Sequence, residues 1–245
     1  GGRDSGDAMP RHIIIENLEI RNARPEFSYV GRRGIQEYKE NAAAIHIEKG
    51  EHVTIRGCQI HDCGNGLFAS HETSALNIER CHVYNNGIEE SIYHHNVYTE
   101  TSGIAFRFNH FGPLRVGCYG NNIKDRSAGT LIYGNWIEGG NKLIDLVESD
   151  YEGIRGRDDY DTVVVFGNVL VKLAEPTDRK LVFFGGDQGV PKNYRKGPLH
   201  FVNNTVISKR PGILPVFQMA SDEQVCYAQN NVFWGEFFAV IMVIT

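Results

Sequence analysis

Thr130-Leu131-Ile132-Tyr133-Gly134-Asn135-Trp136-Ile137-Glu138-Gly139-Gly140 is an apolar alternation, then a Gly-Asn pair, then a second short apolar alternation. Alternation with period two reads as a half-buried strand, and the Gly-Asn pair as a bend. The pattern recurs as HIIIENLEI (12–20), HVTIRGCQI (52–60), ALNIERCHV (75–83), IAFRFNHF (104–111), VVVFGNVL (163–170), LHFVNNTV (199–206) and VCYAQNNVF (225–233). The small or amide residue after the first alternation falls at Leu18, Cys58, Cys81, Asn109, Asn135, Asn168, Asn204 and Asn230. The shortest spacings set a repeat in the twenties, and the longer ones carry insertions.

Between these stretches runs a second series: AAIHIE (43–48), GLFAS (66–70), YHHNVYT (93–99), NNIKDRS (121–127), KLIDLVE (142–148), LVFFGG (181–186) and LPVFQMA (214–220). Two strand types alternating at this period imply a parallel coil, each turn about 4.8 Å from the last. The asparagine column fits, because amides at equivalent positions can bond along the stack and to the backbone of the bend. Cys58 and Cys81 share that column and read as small buried thiols. Helical periodicity is missing, and a propeller repeat of about 40 residues is too long. The expected fold is all-β: one parallel β-helix over residues 1–245, with a core of about 12–234. Neither Gly1–Pro10 nor Gly235–Thr245 reads as a capping helix, so the ends are expected to be truncated or uncapped.

The chain has 245 residues, 41% hydrophobic and 22% charged, which suits a folded soluble protein and excludes a disordered one. Its net charge of −5 steers nothing to nucleic acid, so a basic site must be local. Cys58, Cys63, Cys81, Cys118 and Cys226 are odd in number and contain no Cys-x-x-Cys, so no disulfide framework or zinc knuckle is expected. No signal peptide and no membrane-length apolar span is visible. Insertions at 22–44, 149–161 and 185–198 break the period; the first and third carry aromatic and basic residues suited to sugars or polyanions.

With the strand–Asn–strand repeat, His95-Asn96-Val97-Tyr98 and Asn122-Ile123-Lys124-Asp125-Arg126-Ser127 in hand, the chain resembles the right-handed parallel β-helix of pectate-lyase-like proteins. It resembles in particular bacterial β-helix repeat proteins of polysaccharide-degrading type. The resemblance covers about residues 12–234. It implies a secreted, periplasmic or cell-surface protein acting on an acidic polysaccharide, with lysine or arginine bases and Ca²⁺ common in such enzymes. The chain departs from that family in two places. The Asn-Thr-Asp, Asp-Asp and Gly-His-Gly set of polygalacturonase-type hydrolases is missing, with Asp158-Asp159 alone in a charged loop. The Arg-x-Pro-x-x-Arg stretch of the main pectate lyases is missing too.

If Ile123 points inward, Lys124 and Arg126 point outward on one face. The neighbouring turns then place His94, Asn96 and Tyr98 on one side and Asp145 on the other, with His95 and Glu148 close by. A uronate lyase needs a base for the proton α to the carboxylate, a cation to neutralise that carboxylate, and an acid for the leaving oxygen. Lys124 and Arg126 are the expected catalytic pair, the arginine lowering the lysine pKa by like-charge repulsion. His94, His95, Asn96, Tyr98 and Arg115 are the expected substrate-binding residues, and Asp145 and Glu148 the expected Ca²⁺ ligands. His94-His95 lacks a third ligand at metal-site spacing. The function expected is β-elimination of a uronate-containing polysaccharide. The alternative is a non-catalytic glycan-binding or structural surface protein. The sequence leaves the number of protomers open.

Overall fold

The computed structural model describes residues 8–174 and 180–244. Each full turn of the coil contains three strands. In one turn these are Ser102–Arg107, His110–Phe111 and Ile123–Asp125; in the next, Ala128–Tyr133, Trp136–Glu138 and Ile144–Leu146. Successive turns pair parallel and in register on all three faces. The second face is a separate sheet of eight strands, from Glu19–Arg21 to Val232–Trp234. The first and third faces join through Ala43–Arg56 and Asn65–Glu79, two long strands that round the corner between them. This corrects the two-strand expectation while keeping the all-β parallel coil. A stretch such as TLIYGNWI is a first-face strand, a bend and a second-face strand. Second-face strands as short as His110–Phe111 are too brief to show a period of their own.

The bend has one backbone requirement. Asn17, Gly57, Arg80, Phe108, Gly134, Gly167, Asn203 and Asn230 all have φ between 52° and 65°, the left-handed region favoured by glycine and asparagine. The next residue supplies the rung. Nδ2 of Asn109 donates to Oδ1 of Asn135 (3.0 Å), Asn135 to Asn168 (2.9 Å), Asn168 to Asn204 (3.0 Å), and Asn204 to Asn231 (3.2 Å). Each accepting oxygen also takes a backbone N–H from the turn before it. The last rung is therefore Asn231, and Asn230, expected in the column, is the left-handed residue preceding it. Cys58 and Cys81 continue the column as free thiols. Cys81 donates to the Ile55 carbonyl at 3.6 Å, and burial pushes its pKa up to about 11.

Inside, equivalent residues stack into rows. Ile55, Ile78, Phe106, Ile132, Val165 and Phe201 form one row by strand register and are all fully buried. Continuous apolar rows of this kind are the coil's hydrophobic core. The first insertion contains the antiparallel hairpin Ser28–Gly31 and Gly34–Glu37, the second the short helix Glu152–Arg155, and the third the 3-10 turn Pro191–Asn193.

The third insertion is rooted by Arg195, which is fully buried. Its guanidinium donates to the carbonyls of Val147 (2.8 Å), Tyr160 (3.1 Å) and Ser127 (2.6 Å) and lies 3.6 Å from the Asp125 carboxylate. Asp125 in turn accepts from the hydroxyls of Thr99 and Thr130. The expectation for Gly1–Pro10 falls largely outside the described residues. At the other end, Phe237–Ile244 is a strand paired with Ile213–Met219. Among the described residues, no helix is long and apolar enough to cross a membrane.

The ladder gives a stability test. Asn168→Ala strips hydrogen bonds from buried backbone and amide groups, and is expected to cost about 1–3 kcal/mol in denaturant unfolding. Asn203→Gly keeps the left-handed bend and is expected to stay within about 0.5 kcal/mol of the parent. Equal effects of the two would contradict the ladder's role.

Candidate functional site

Strand register fixes which side chains meet outside the third face. His46, Phe68, Tyr98, Lys124, Asp145, Phe183 and Gln218 occupy successive Cα-paired positions. Their inward neighbours Leu67, Val97, Ile123, Ile144 and Val182 are fully buried, so alternation turns this row outward. Rings lead up to the charges: His46 meets Phe68 edge-on at 4.7 Å, and Phe68 stacks on Tyr98 at 5.2 Å. Beyond the charges, the Lys142 ammonium lies over the Phe183 ring at 4.6 Å.

Lys124 and Arg126 both reach a cleft of about 330 Å³ whose walls include His95, Tyr98, Lys142 and Asp187. Lys124 Nζ donates to Asp145 at 3.2 Å and to Asp187 at 2.6 Å. Arg126 sits one residue beyond the strand. Its Nε donates to the Tyr98 hydroxyl at 3.0 Å, one terminal nitrogen to the Glu148 carbonyl, and the other to Asp187 at 3.2 Å. Both cations are largely sequestered, their side chains 11% and 7% exposed.

The protonation states follow from this packing. Burial works to lower the Lys124 pKa, but Asp145 and Asp187 outweigh it and hold it above the ordinary lysine value. Arg126 is likewise raised, the surrounding oxygens overcoming its desolvation. Burial works to raise Asp187, and the two cations more than reverse it. Tyr98 is raised by burial, against the pull of Arg126. The expected lowering of the lysine by its arginine neighbour is therefore corrected: two carboxylates dominate one guanidinium, and Lys124 is an ammonium in this arrangement.

His95 is buried in the cleft wall, and its Nδ1 accepts the backbone N–H of Asn121 at 2.8 Å. That bond uses the ring's lone pair, so a neutral His95 carries its proton on Nε2 and acts as a donor. Burial, then Lys124, His94 and Lys142, push its pKa well below 6.5. His95 is also a rung in a side column, since Asn65 accepts the His95 N–H and Asn121 accepts the Lys142 N–H.

Other expected site residues lie elsewhere. Asn96 points into the coil rather than outward. It donates to Asn122 (3.0 Å) and the Gly112 carbonyl (2.9 Å) and accepts from Asn86 (2.9 Å). The strand begins only at Val97, so the assumed alternation fails one residue earlier. His94 is held under the first insertion between the Ser91 hydroxyl (2.6 Å) and the Glu40 carbonyl (3.0 Å), and it does not line the cleft. Arg115 pairs with Glu26 of that insertion at 2.7 Å and also lies off the cleft. Asp187 and Lys142 line the cleft without having been singled out in sequence. The available signal was Gly185-Gly186-Asp187, an acid between glycines in a loop facing a cationic strand.

The donor set does not fit Ca²⁺. Asp145 is fully buried, bonded to Asn121 (2.5 Å), Lys124 (3.2 Å) and Lys142 (3.0 Å), so two ammonium groups stand where a cation would go. Glu148, also fully buried, accepts the backbone N–H groups of Asp187 (2.8 Å) and Gln188 (2.9 Å). Among the described residues, no three His, Cys, Asp or Glu side chains gather as a metal site.

A family profile described as a right-handed beta helix region matches residues 5–156. A protein of Arabidopsis thaliana, provisionally named a pectate lyase, is 27% identical over 108 residues. That match covers 41% of this chain and 26% of the plant protein, so the chain spans about a quarter of its relative's length. No solved structure matches significantly.

Two outcomes are expected from the site's electrostatics. A histidine with a depressed folded pKa adds stability above 6.5, which is lost as pH falls from that value toward the folded pKa. His95→Asn keeps an acceptor for the Asn121 N–H but does not titrate. The gap between parent and variant stability should therefore narrow or reverse in favour of the variant as pH drops below 6.5, measured by denaturant unfolding at a series of pH values. Millimolar CaCl₂ should leave the thermal midpoint where an equal ionic strength of NaCl leaves it; a Ca²⁺-specific rise would contradict the donor-set argument.

Proposed function

This chain belongs to the right-handed β-helix family, and from that premise we propose that its third face binds an acidic, uronate-containing polysaccharide and cleaves it by β-elimination. One observation carries the reading: Lys124 and Arg126 converge on a single carboxylate, that of Asp187, in a cleft flanked by rings. A uronate offers the same two oxygens, and paired charged donors are the strong way to hold them. Distant similarity to a protein named as a pectate lyase supports the same substrate class. In this proposal the polymer is met outside the cytoplasm, in a secreted, periplasmic or cell-surface setting.

In this proposal Lys124 and Arg126 neutralise the uronate carboxylate, which acidifies the neighbouring C–H and stabilises the charge that develops as it is removed. Tyr98, bonded to Arg126 through its oxygen, would take the α-proton as its phenolate, the form that Arg126 favours and burial opposes. The resulting phenol would return that proton to the leaving glycosidic oxygen as the C–O bond breaks. His95 donates a hydrogen bond from Nε2 and suits a sugar hydroxyl. Phe68 and His46 extend the row as a stacking surface for further sugar units.

A second reading is favoured by a specific feature. Lys124 is held protonated and the His95 lone pair is occupied, so neither is a ready base. This supports glycan binding without cleavage. Incubation with polygalacturonate separates the two. β-Elimination gives an unsaturated uronate with new ultraviolet absorbance, and Lys124→Ala and Arg126→Ala should each remove it with the fold intact by circular dichroism. Undiminished activity in both variants would overturn the catalytic assignment. Binding without any absorbance in the parent would leave the second reading standing.

A further inference from the structure

Asp187 differs from the other carboxylates at the cleft. Asp145 and Glu148 are fully buried and belong to the third-face segment itself. Asp187 comes from the third insertion, its side chain is 31% exposed, and among the described residues its carboxylate bonds to the two cations. One oxygen takes Lys124 and the other takes Arg126, the forked pose that a carboxylate ligand would adopt. Its backbone N–H and that of Gln188 hang on Glu148, while Arg195 roots the far side of the insertion in the coil. Gly185 and Gly189 bracket this tip with φ of 130° and 75°. Glycine is the residue for which such conformations cost least.

The ion pairs point the same way. Lys124 also pairs with Asp145, and Arg126 with Glu148 and Asp150, but among the described residues Asp187 is the carboxylate that the two cations share. Withdrawing Asp187 frees one donor direction on each cation beside Tyr98 and His95, room for one incoming carboxylate. We propose that Asp187 is an internal stand-in for the ligand's carboxylate, occupying the seat between Lys124 and Arg126 until a uronate displaces it. This rests on the acidic-glycan reading for the ligand's identity but not for the seat itself. Displacement taxes affinity, because an external carboxylate binds only the fraction of molecules whose seat is open.

The test uses the whole chain with sodium acetate as a bare carboxylate and trigalacturonate as the glycan. Acetate binding is followed by NMR at the Lys124 and Arg126 amides, against NaCl of equal ionic strength. Asp187→Asn and Asp187→Ala should each bind acetate about tenfold or more tighter than the parent, since the open fraction approaches unity. In the parent, saturating acetate should move the Asp187 carboxyl carbon shift toward that of an exposed aspartate, a readout that needs no variant. Unchanged or weaker acetate binding in folded variants, or an unmoved Asp187 signal at saturation, would overturn the proposal. Tighter acetate binding with no trigalacturonate binding by any form would keep the internal seat and remove the acidic-glycan reading.

Discussion

In-register stacking is the constraint on which the rest depends. Every turn lends its backbone N–H and C=O groups to the turns on either side, so equivalent side chains must lie one above another. Apolar residues then make continuous interior rows, and a polar residue inside must find its partner along the same column. Asparagine solves this at the bend, since its oxygen accepts from the previous turn while its nitrogen donates to the next. The left-handed residue before it is a requirement of the same bend, filled by Gly, Asn and even Arg80 and Phe108.

The same constraint builds the cleft. Register alone sets Tyr98, Lys124 and Asp145 side by side, and one further residue brings Arg126 back to the Tyr98 hydroxyl. Burying so many ionised groups is costly unless each is paired, and here Asp187 of the third insertion adds the carboxylate that Lys124 and Arg126 share. The site is thus a scaffold element finished by a loop. The scaffold supplies fixed charges, and the loop supplies the carboxylate that bridges two of them.

Much of this was legible in sequence. The asparagine column, the parallel coil and the outward placement of Lys124 and Arg126 follow from period-two alternation and repeat spacing. Other features escaped for identifiable reasons. Three faces read as two because second-face strands as short as His110–Phe111 show no period. Asn230 and Asn231 are indistinguishable in sequence, and only the left-handed bend at Asn230 makes Asn231 the rung. Asn96 faces inward because strand alternation begins only at Val97, one residue later. Asp187 and the protonated state of Lys124 depend on how an insertion folds back, which no repeat pattern encodes. The poor fit of Asp145 and Glu148 to calcium has the same origin, since lysines and loop amides occupy both carboxylates.

The central claim is that the Lys124–Arg126 pair is a seat for a uronate carboxylate. The most direct test is a crystal structure of the chain with trigalacturonate bound. It should show one uronate carboxylate between Lys124 Nζ and the Arg126 guanidinium, with the Asp187 carboxylate moved out. A trisaccharide bound elsewhere, with Asp187 still bridging the two cations, would contradict the account.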